Sequence, residues 1–444
     1  MTQERKSSRP QLLQSMIDAF RQTDLRRKML ITLGILVLFR FIAHVPVPGL
    51  DPSSMREFMG GGSSAGALFG MLNMFSGGAM EKLSIATMGV YPYITATIIM
   101  QLMVPVIPKL RELSSEGESG RAKINIYTHW LTVPLALLQG YSQLTLLQKS
   151  QVISGIGFSG GDALPTISML LAMTAGTMFL VWLGELITEY GIGNGVSLII
   201  FAGIVCDLPK YIGYGALENN VLGMVLFAIL SLVILVTIII FTEAQRHIPV
   251  QYARSLYRGG KVYRQSGGTH IPIRVNSGGM IPIIFAMSFM LMPGIIAGFF
   301  VSSDASNPNF ANSVVNLFSS TGWFYWIMYF FLVVALTFFY TTVIFQQQNL
   351  AETLQRQGAF IPGIRPGKTT HQYLSKVSNR ITWGGALFLG IVTISPFIIQ
   401  KISGIQGNLQ LPAVGMIIVV GVALDTMRQL EAQLLMRKYE GFLK

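Results

Sequence analysis

Residues 83–106 run on without a single charge, and directly before them lies a shorter apolar stretch closed off by glycines. The shorter stretch, residues 65–75, reads AGALFGMLNMF between the glycines at 60–62 and 77–78. As a helix it reaches about 16 Å, roughly half of a hydrocarbon core about 30 Å thick, whereas the longer run is long enough to cross. A half-length helix hinged on glycines beside a full span has two readings. It is re-entrant, with irregular backbone sheltered by protein or facing water, or it is an external helix lying in the interface. The re-entrant form implies a cavity at membrane depth with a small movable element in it.

The rest of the chain favours membrane depth. Of its 444 residues 51% are hydrophobic and only 12% charged, too few polar side chains to cover a soluble globule. Long uncharged runs mark a polytopic membrane protein. The single cysteine, Cys206, excludes a disulfide within the chain and sits in an apolar run, where a buried small hydrophobe is expected. The start, MTQERKSSRPQ, has neither the apolar core nor the cleavage site of a signal peptide.

Leu12, Leu13, Met16, Ile17 and Phe20 share one helical face, as in an amphipathic helix lying among headgroups. Ten spans follow, at about 28–47, 83–106, 124–147, 166–187, 195–208, 221–241, 280–300, 324–345, 382–399 and 411–424. Arg40 stands near the middle of the first, where a cation costs about 2.5–3.5 kcal/mol, so it must face protein or water, either in an ion pair or carbonyl contact or in a functional role. Lys and Arg number 26 in the N-terminus, the 2/3, 6/7 and 8/9 loops and the C-terminus, against 5 in the remaining loops. This asymmetry puts both termini in the cytoplasm. Five spans on each side of the loop at 208–220 make two halves, and the odd number forces the second half to enter inverted. The 6/7 loop alternates β-branched and polar residues about 258–260, predicting a β-hairpin. The 8/9 loop continues span 8 as a helix to Gly358 and then turns through IPGIRPGK. Projecting basic loops suit an RNA or an acidic protein, although positive-inside charge alone explains their sign.

Several chemistries find no footing. GIRPGKT resembles a phosphate loop, but Pro362 stands where a Walker motif needs glycine, and no strand precedes it. HExxH and a cysteine pair are both missing from the sequence. The five histidines, His44, His129, His247, His270 and His371, are scattered. Acidic residues, which would carry proton coupling, come no deeper than Glu185, Glu189 and Asp425 near span ends, which weakens an ion-coupled carrier. A carrier of inverted-repeat type and a polytopic membrane enzyme remain the alternatives.

At GELITEYGIGNGVSLIIFAGI (184–204), RHIPVQYAR, GGMIPIIFA, QNLAETLQRQGAFIPGIRPG and VVGVALDTMRQLEAQLLMRKYEGF, the chain closely resembles the SecY family of bacterial protein-conducting channels. FSGGAMEKLSIATMGVYPYITATIIMQL and GESGR belong to the same pattern, so the likeness runs through nearly the whole chain in order. The resemblance implies an all-α polytopic fold of ten transmembrane helices in two inverted five-helix halves, with a re-entrant plug helix and a cytoplasmic β-hairpin-like loop. The implied divisions are a cytoplasmic amphipathic segment (1–27), an N-terminal half (28–214, plug about 64–76), a C-terminal half (215–424, cytoplasmic loops about 242–279 and 346–381) and a cytoplasmic tail (425–444).

Matched motif by motif, the family's apolar pore ring falls on Val90, Ile94, Val196, Ile200, Ile284 and Ile418, each of which reads otherwise as core packing. Its plug falls on Gly66, Ala67, Leu68, Phe69, Gly70, Met71, Leu72, Asn73, Met74 and Phe75. Thr95, Gln101 and Asn194 match polar positions near the gate, and spans 2 and 7 form its two lateral walls. Arg254, Arg258 and Lys261 fall in the docking loop for ribosomes and SecA, and Arg365 on the key basic position of the 8/9 loop. The resemblance also implies no cofactor, no metal and no catalytic residue. It implies a place in the bacterial plasma membrane. The partners it brings are SecE and SecG small subunits, the SecA motor ATPase, the ribosome and its RNA, signal peptides and nascent chains, membrane lipids, and a second copy of the chain in a homodimer.

Overall fold

The computed structural model describes residues 22–48, 55, 73, 76–149, 152–153, 155–157, 160–217, 221–252, 255–258, 261–264, 269–276, 278–279, 281–298, 300, 309–318, 322–348, 350–403 and 413–440. The amphipathic segment at 12–20, Arg254 and the plug positions other than Asn73 lie outside the described residues. The protein is mostly helical, and its helices fall into two units, residues 1–214, 294–321 and 418–444 in the first and residues 215–293 and 322–417 in the second.

In the first unit the helices are α1 (Thr23–Ile42), α2 (Tyr91–Val106), α3 (Pro108–Ser115), α4 (Glu118–Lys149), α5 (Ala163–Tyr190) and α6 (Gly195–Leu217). Long helices meet as α2 with α4, α4 with α5 and α1 with α5. Val47, Met88, Ala136, Leu144, Met169, Leu170 and Met173 close a core between α4, α5 and the chain on either side of the plug positions. Several hydroxyls inside these helices are satisfied locally: Thr95, Thr132 and Thr174 each donate to the carbonyl four residues back. That local bond lets a polar side chain live where no water is available.

Helix α2 starts at Tyr91, not near residue 83 as the uncharged run suggests, because the backbone before it cannot be helical. Gly77, Gly78 and Gly89 have positive φ, as does Leu83 at 45°, so residues 77–90 are a series of turns. Pro92 then opens the helix, where its missing N–H leaves nothing unsatisfied. At the other end Ile107 is extended before Pro108, and α2 and α3 meet at a bend of 98°.

The second unit holds α7 (Val221–Glu243), α8 (Ile281–Gly298) as far as Pro293, α10 (Trp323–Gln348), α11 (Leu350–Arg356) and α12 (Lys368–Ser403), while α9 (Phe310–Leu317) lies in residues assigned to the first. Helix α12 is its spine, packing on α10 and α7. Phe241 stacks on Phe388 with ring centroids 3.9 Å apart, and Trp326 lies over Phe397. A final helix, α13 (Ala413–Glu440), runs well beyond the span expected to end near residue 424. Leu430 from its far part is buried with Leu25 and Ile192, so the expected tail is helical there and packed rather than loose.

Strands appear where the 6/7 loop predicts a hairpin. β2 (Ser255–Arg258) and β3 (Lys261–Arg264) pair antiparallel with Arg258 opposite Lys261. Outside them β1 (Gln245–Tyr252) pairs with β4 (Thr269–Arg274), Ile248 opposite Ile271. A short β5 (Ala359–Phe360) from the 8/9 loop adds to β1, giving the order β4-β1-β5. Alternation does the sorting: Ile248, Val250 and Ile273 are buried, while His247, Pro249, His270 and Pro272 face out. Pro249 is tolerated because β5 covers β1 only at Gln251 and Tyr252.

Among the described residues three helices are long and apolar enough to cross a membrane, or four if the bent α2–α3 pair counts as one span. Shorter apolar pieces lie at Gly195–Asp207, Ala228–Glu243 and Ile281–Gly294. Cys206, expected to be buried, is exposed. In an apolar span the outer surface is as suitable for a small hydrophobe as the interior, because lipid is its solvent.

Candidate functional site

The turn series at 77–90 delivers Val90, fully buried, to the N-cap of α2, and Ile94 follows one turn later, its N–H bonded to the Val90 carbonyl. Val196 and Ile200 are likewise one turn apart on α6, so each pair occupies a single helical face. Ile200 is buried, and Val196 lies so close over α5 that a Cβ on Gly184 would stand 2.9 Å from its Cγ2. Ile418 is fully buried on α13. These five belong to the first unit; Ile284 belongs to the second, buried on α8 beside Phe285, whose ring meets Tyr340 edge-on.

The three expected polar positions do different things. Thr95 is buried and takes a long hydrogen bond, 3.5 Å, from Nε2 of Gln139 on α4, which ties α2 to α4. Gln139 was not singled out from the sequence, although a glutamine within an apolar span was the available signal. Gln101 on α2 has a buried Oε1 with no hydrogen-bond partner among the described residues. Asn194 is exposed, and its Oδ1 accepts from the Ser197 N–H at 3.1 Å, so its side chain caps the start of α6.

A second polar group joins the same helices. Glu185 on α5 accepts from Asn125 Nδ2 at 3.1 Å and lies 3.0 Å from His129 Nε2, both on α4, and Tyr93 of α2 reaches Asn125 at 3.4 Å. The carboxylate that came closest to a coupling residue is thus engaged in holding helices together.

Arg40 resolves in favour of the carbonyl contact: its guanidinium donates to the backbone oxygen of Gly77. Nearby, His44 contacts Lys82, and its Nδ1 lies 2.8 Å from the Arg40 carbonyl. Of the plug positions, Asn73 is described; its carbonyl accepts from Gly78 N–H and Ser76 Oγ, and its Oδ1 accepts from Glu81 N–H.

The basic positions lie on the sheet and its annex. Arg258 closes β2 and Lys261 opens β3, the two standing opposite each other in the register. Arg365 is exposed in a loop whose ends are fixed: Ile361 is buried with Ile248, Leu354 and Leu374, Ile364 packs on the same cluster, and Gly363 and Gly367 take positive φ. Thr370 Oγ1 donates to the Arg365 carbonyl at 2.9 Å, which closes the loop onto the start of α12. Burial of the isoleucines turns the arginine outward. Among the described residues no three metal-ligating side chains come together.

A family model described as SecY matches residues 84–427. The chain belongs to the SecY family. Its SecY relatives include the protein translocase subunits SecY of Streptomyces lividans, 40% identical over 446 residues that cover 98% of this chain and 100% of the relative. That of Corynebacterium glutamicum is also 40% identical, covering 97% and 100%. Solved structures agree in fold at only 16% identity, each covered over 93% of both chains. They are a protein-conducting channel (TM-score 0.62), a SecY whose plug domain is described as stabilising the closed state and maintaining a membrane seal (0.61), and Sec61 in a canine ribosome–channel complex (0.60).

Proposed function

We propose that this chain is the channel-forming subunit of a protein translocase, passing unfolded polypeptides across the plasma membrane and releasing apolar segments sideways into lipid. The observation that carries the proposal is the full-length likeness to relatives named as protein translocase subunits. It is a channel and not an enzyme.

A secreted chain carries charged and peptide groups that each cost kilocalories in hydrocarbon, so it needs a wet path. Its narrowest point works best if apolar, since such a collar offers no hydrogen bonds to arrest a sliding chain and, when idle, excludes ions by dewetting. Val90, Ile94, Val196, Ile200, Ile284 and Ile418 supply that collar. Residues 66–75 form the plug on its external side. The seal opens laterally between spans 2 and 7, and leucine-rich segments then partition out with a gain of about 0.5 kcal/mol per residue. Thr95 with Gln139, and Gln101, supply polar groups on the span 2 wall.

Ten spans in two inverted halves, with both termini in the cytoplasm, follow from the parity and charge asymmetry of the sequence. The short apolar helices at Gly195–Asp207, Ala228–Glu243 and Ile281–Gly294 fit such a bundle, since spans that line a cavity need not cross alone. Arg254, Arg258, Lys261 and Arg365 then face the cytoplasm, where a SecA-type motor or ribosomal RNA meets a basic surface. SecE- and SecG-type small subunits and a second copy of the chain complete the assembly. An ion-coupled carrier is disfavoured, because Glu185 is already bound by His129 and Asn125.

The test is crosslinking. A secretory chain stalled in transit should react with photoreactive groups placed at Ile94, Ile200 and Ile284 and with none placed on the exposed Leu232. Labelling confined to Leu232 would remove the pathway from these positions.

A further inference from the structure

Residues 77–90 carry Val90 to its place without a helix or a strand, so something other than regular structure must hold them. They are fastened to α1 and its continuation by backbone bonds, Val47 N–H to the Leu83 carbonyl at 2.8 Å and Ile85 N–H to the Val45 carbonyl at 2.9 Å. They are jammed against other helices as well: a Cβ on Gly176 of α5 would lie 2.0 Å from the Ile85 carbonyl oxygen. At the beginning of the segment, Gly77 is pressed on α6, where its own Cβ would stand 2.6 Å from Gly203 Cα and 3.2 Å from Phe39 Cζ. Its φ of +65° leaves its carbonyl facing Arg40, the one cation within a span.

We propose that Arg40 is a positioning residue of the channel's seal: by holding the Gly77 carbonyl it locks the turns at 77–90 between α1, α5 and α6 and so sets where Val90 stands. This rests on the channel reading above. A guanidinium half-buried at membrane depth is expensive, and a neutral side chain in its place would stabilise α1 as a span. A bare carbonyl in the same setting is expensive too, and one contact relieves both. The contact is made to backbone, so no side-chain change on the segment can substitute for it. The backbone bonds of the segment to the continuation of α1 lie further along the chain, at Leu83 and Ile85, which leaves Gly77 the end where slack would enter.

The experiment uses the complete translocase reconstituted in planar bilayers, with Arg40→Met and Arg40→Lys beside the unaltered chain, and reads idle ion conductance and export of a precursor whose signal sequence is intact. Arg40→Met removes the donor while suiting the span, and it should raise idle conductance about tenfold, as expected for loss of a charge-assisted hydrogen bond, with export retained. Arg40→Lys keeps a cation of similar reach and should restore most of the seal. If Arg40→Met does not accumulate, Arg40→Gln is read in its place with the same expectation. An idle conductance equal to that of the unaltered chain in the donor-free variant overturns the inference, as does equal leakage from the lysine and methionine variants. Failure of the unaltered chain to export overturns the channel reading instead, so the two failures are told apart.

Discussion

At the scale of single residues, contact distances decide what each position tolerates. Gly176 faces the Ile85 carbonyl so closely that any side chain must push backbone, not a yielding side-chain tip. Gly176→Val is therefore expected to destabilise the folded chain by about 2–3 kcal/mol, read as a lower unfolding temperature in detergent. An unchanged temperature would mean that the turns at 77–90 do not rest on α5. Arg40 was legible as a residue that needed a partner, because its charge and its depth are both in the sequence. The partner itself was not legible, since a backbone oxygen 37 residues away leaves no mark on the identity of the residue bearing it. Cys206 went the other way: an apolar neighbourhood fixes that a residue avoids water, and says nothing about whether protein or lipid receives it.

At the scale of elements, the sheet and the loop bearing Arg365 behave as one piece. β5 adds to β1, and Ile361 and Leu374 close over Ile248 and Val250, so the loop's shape is set by burial beneath it. Arg365→Glu should then leave stability within about 0.5 kcal/mol, as for exposed substitutions generally, while sharply lowering motor-driven export. Normal export in that variant would count against a docking role. Ile361→Asp should do both kinds of damage, since an unpaired carboxylate under the sheet costs several kcal/mol. A proteolysis pattern like that of the unaltered chain would show the cluster to be dispensable. The hairpin was readable from alternation and the Gly259–Gly260 turn signal, and the helix stop at Gly358 from its glycine. The joining of the two loops through β5 was not, because a two-residue strand has no period to detect.

At the scale of the molecule, the proposed collar would be a collective property, and its test must be collective. Replacing Ile94, Ile200 and Ile284 by asparagine together should give an idle channel that conducts ions and accepts precursors with defective signal sequences. Asparagine keeps much of the volume but lets water wet the constriction. Undiminished exclusion of ions and undiminished selectivity would remove these residues from the seal. Val90 and Ile94, and Val196 and Ile200, were recognisable as pairs by spacing alone, yet the same spacing describes ordinary core packing, as Val196 over Gly184 illustrates. Only likeness to a family favours a pore ring over packing, and the triple asparagine variant is what tests it.

The sequence by itself determined that the chain lives in a membrane, which loops are basic, where turns interrupt the apolar runs, and which family it belongs to, because hydropathy, charge and motif order are local and additive. Tertiary structure decided that α2 begins only at Tyr91, that Arg40 spends its charge on Gly77, that Glu185 is bound by His129, and that α13 packs its far part through Leu430. The last three are meetings of groups distant along the chain, and a meeting depends on which surfaces the folded backbone brings within a few ångströms, a quantity no single stretch of residues contains.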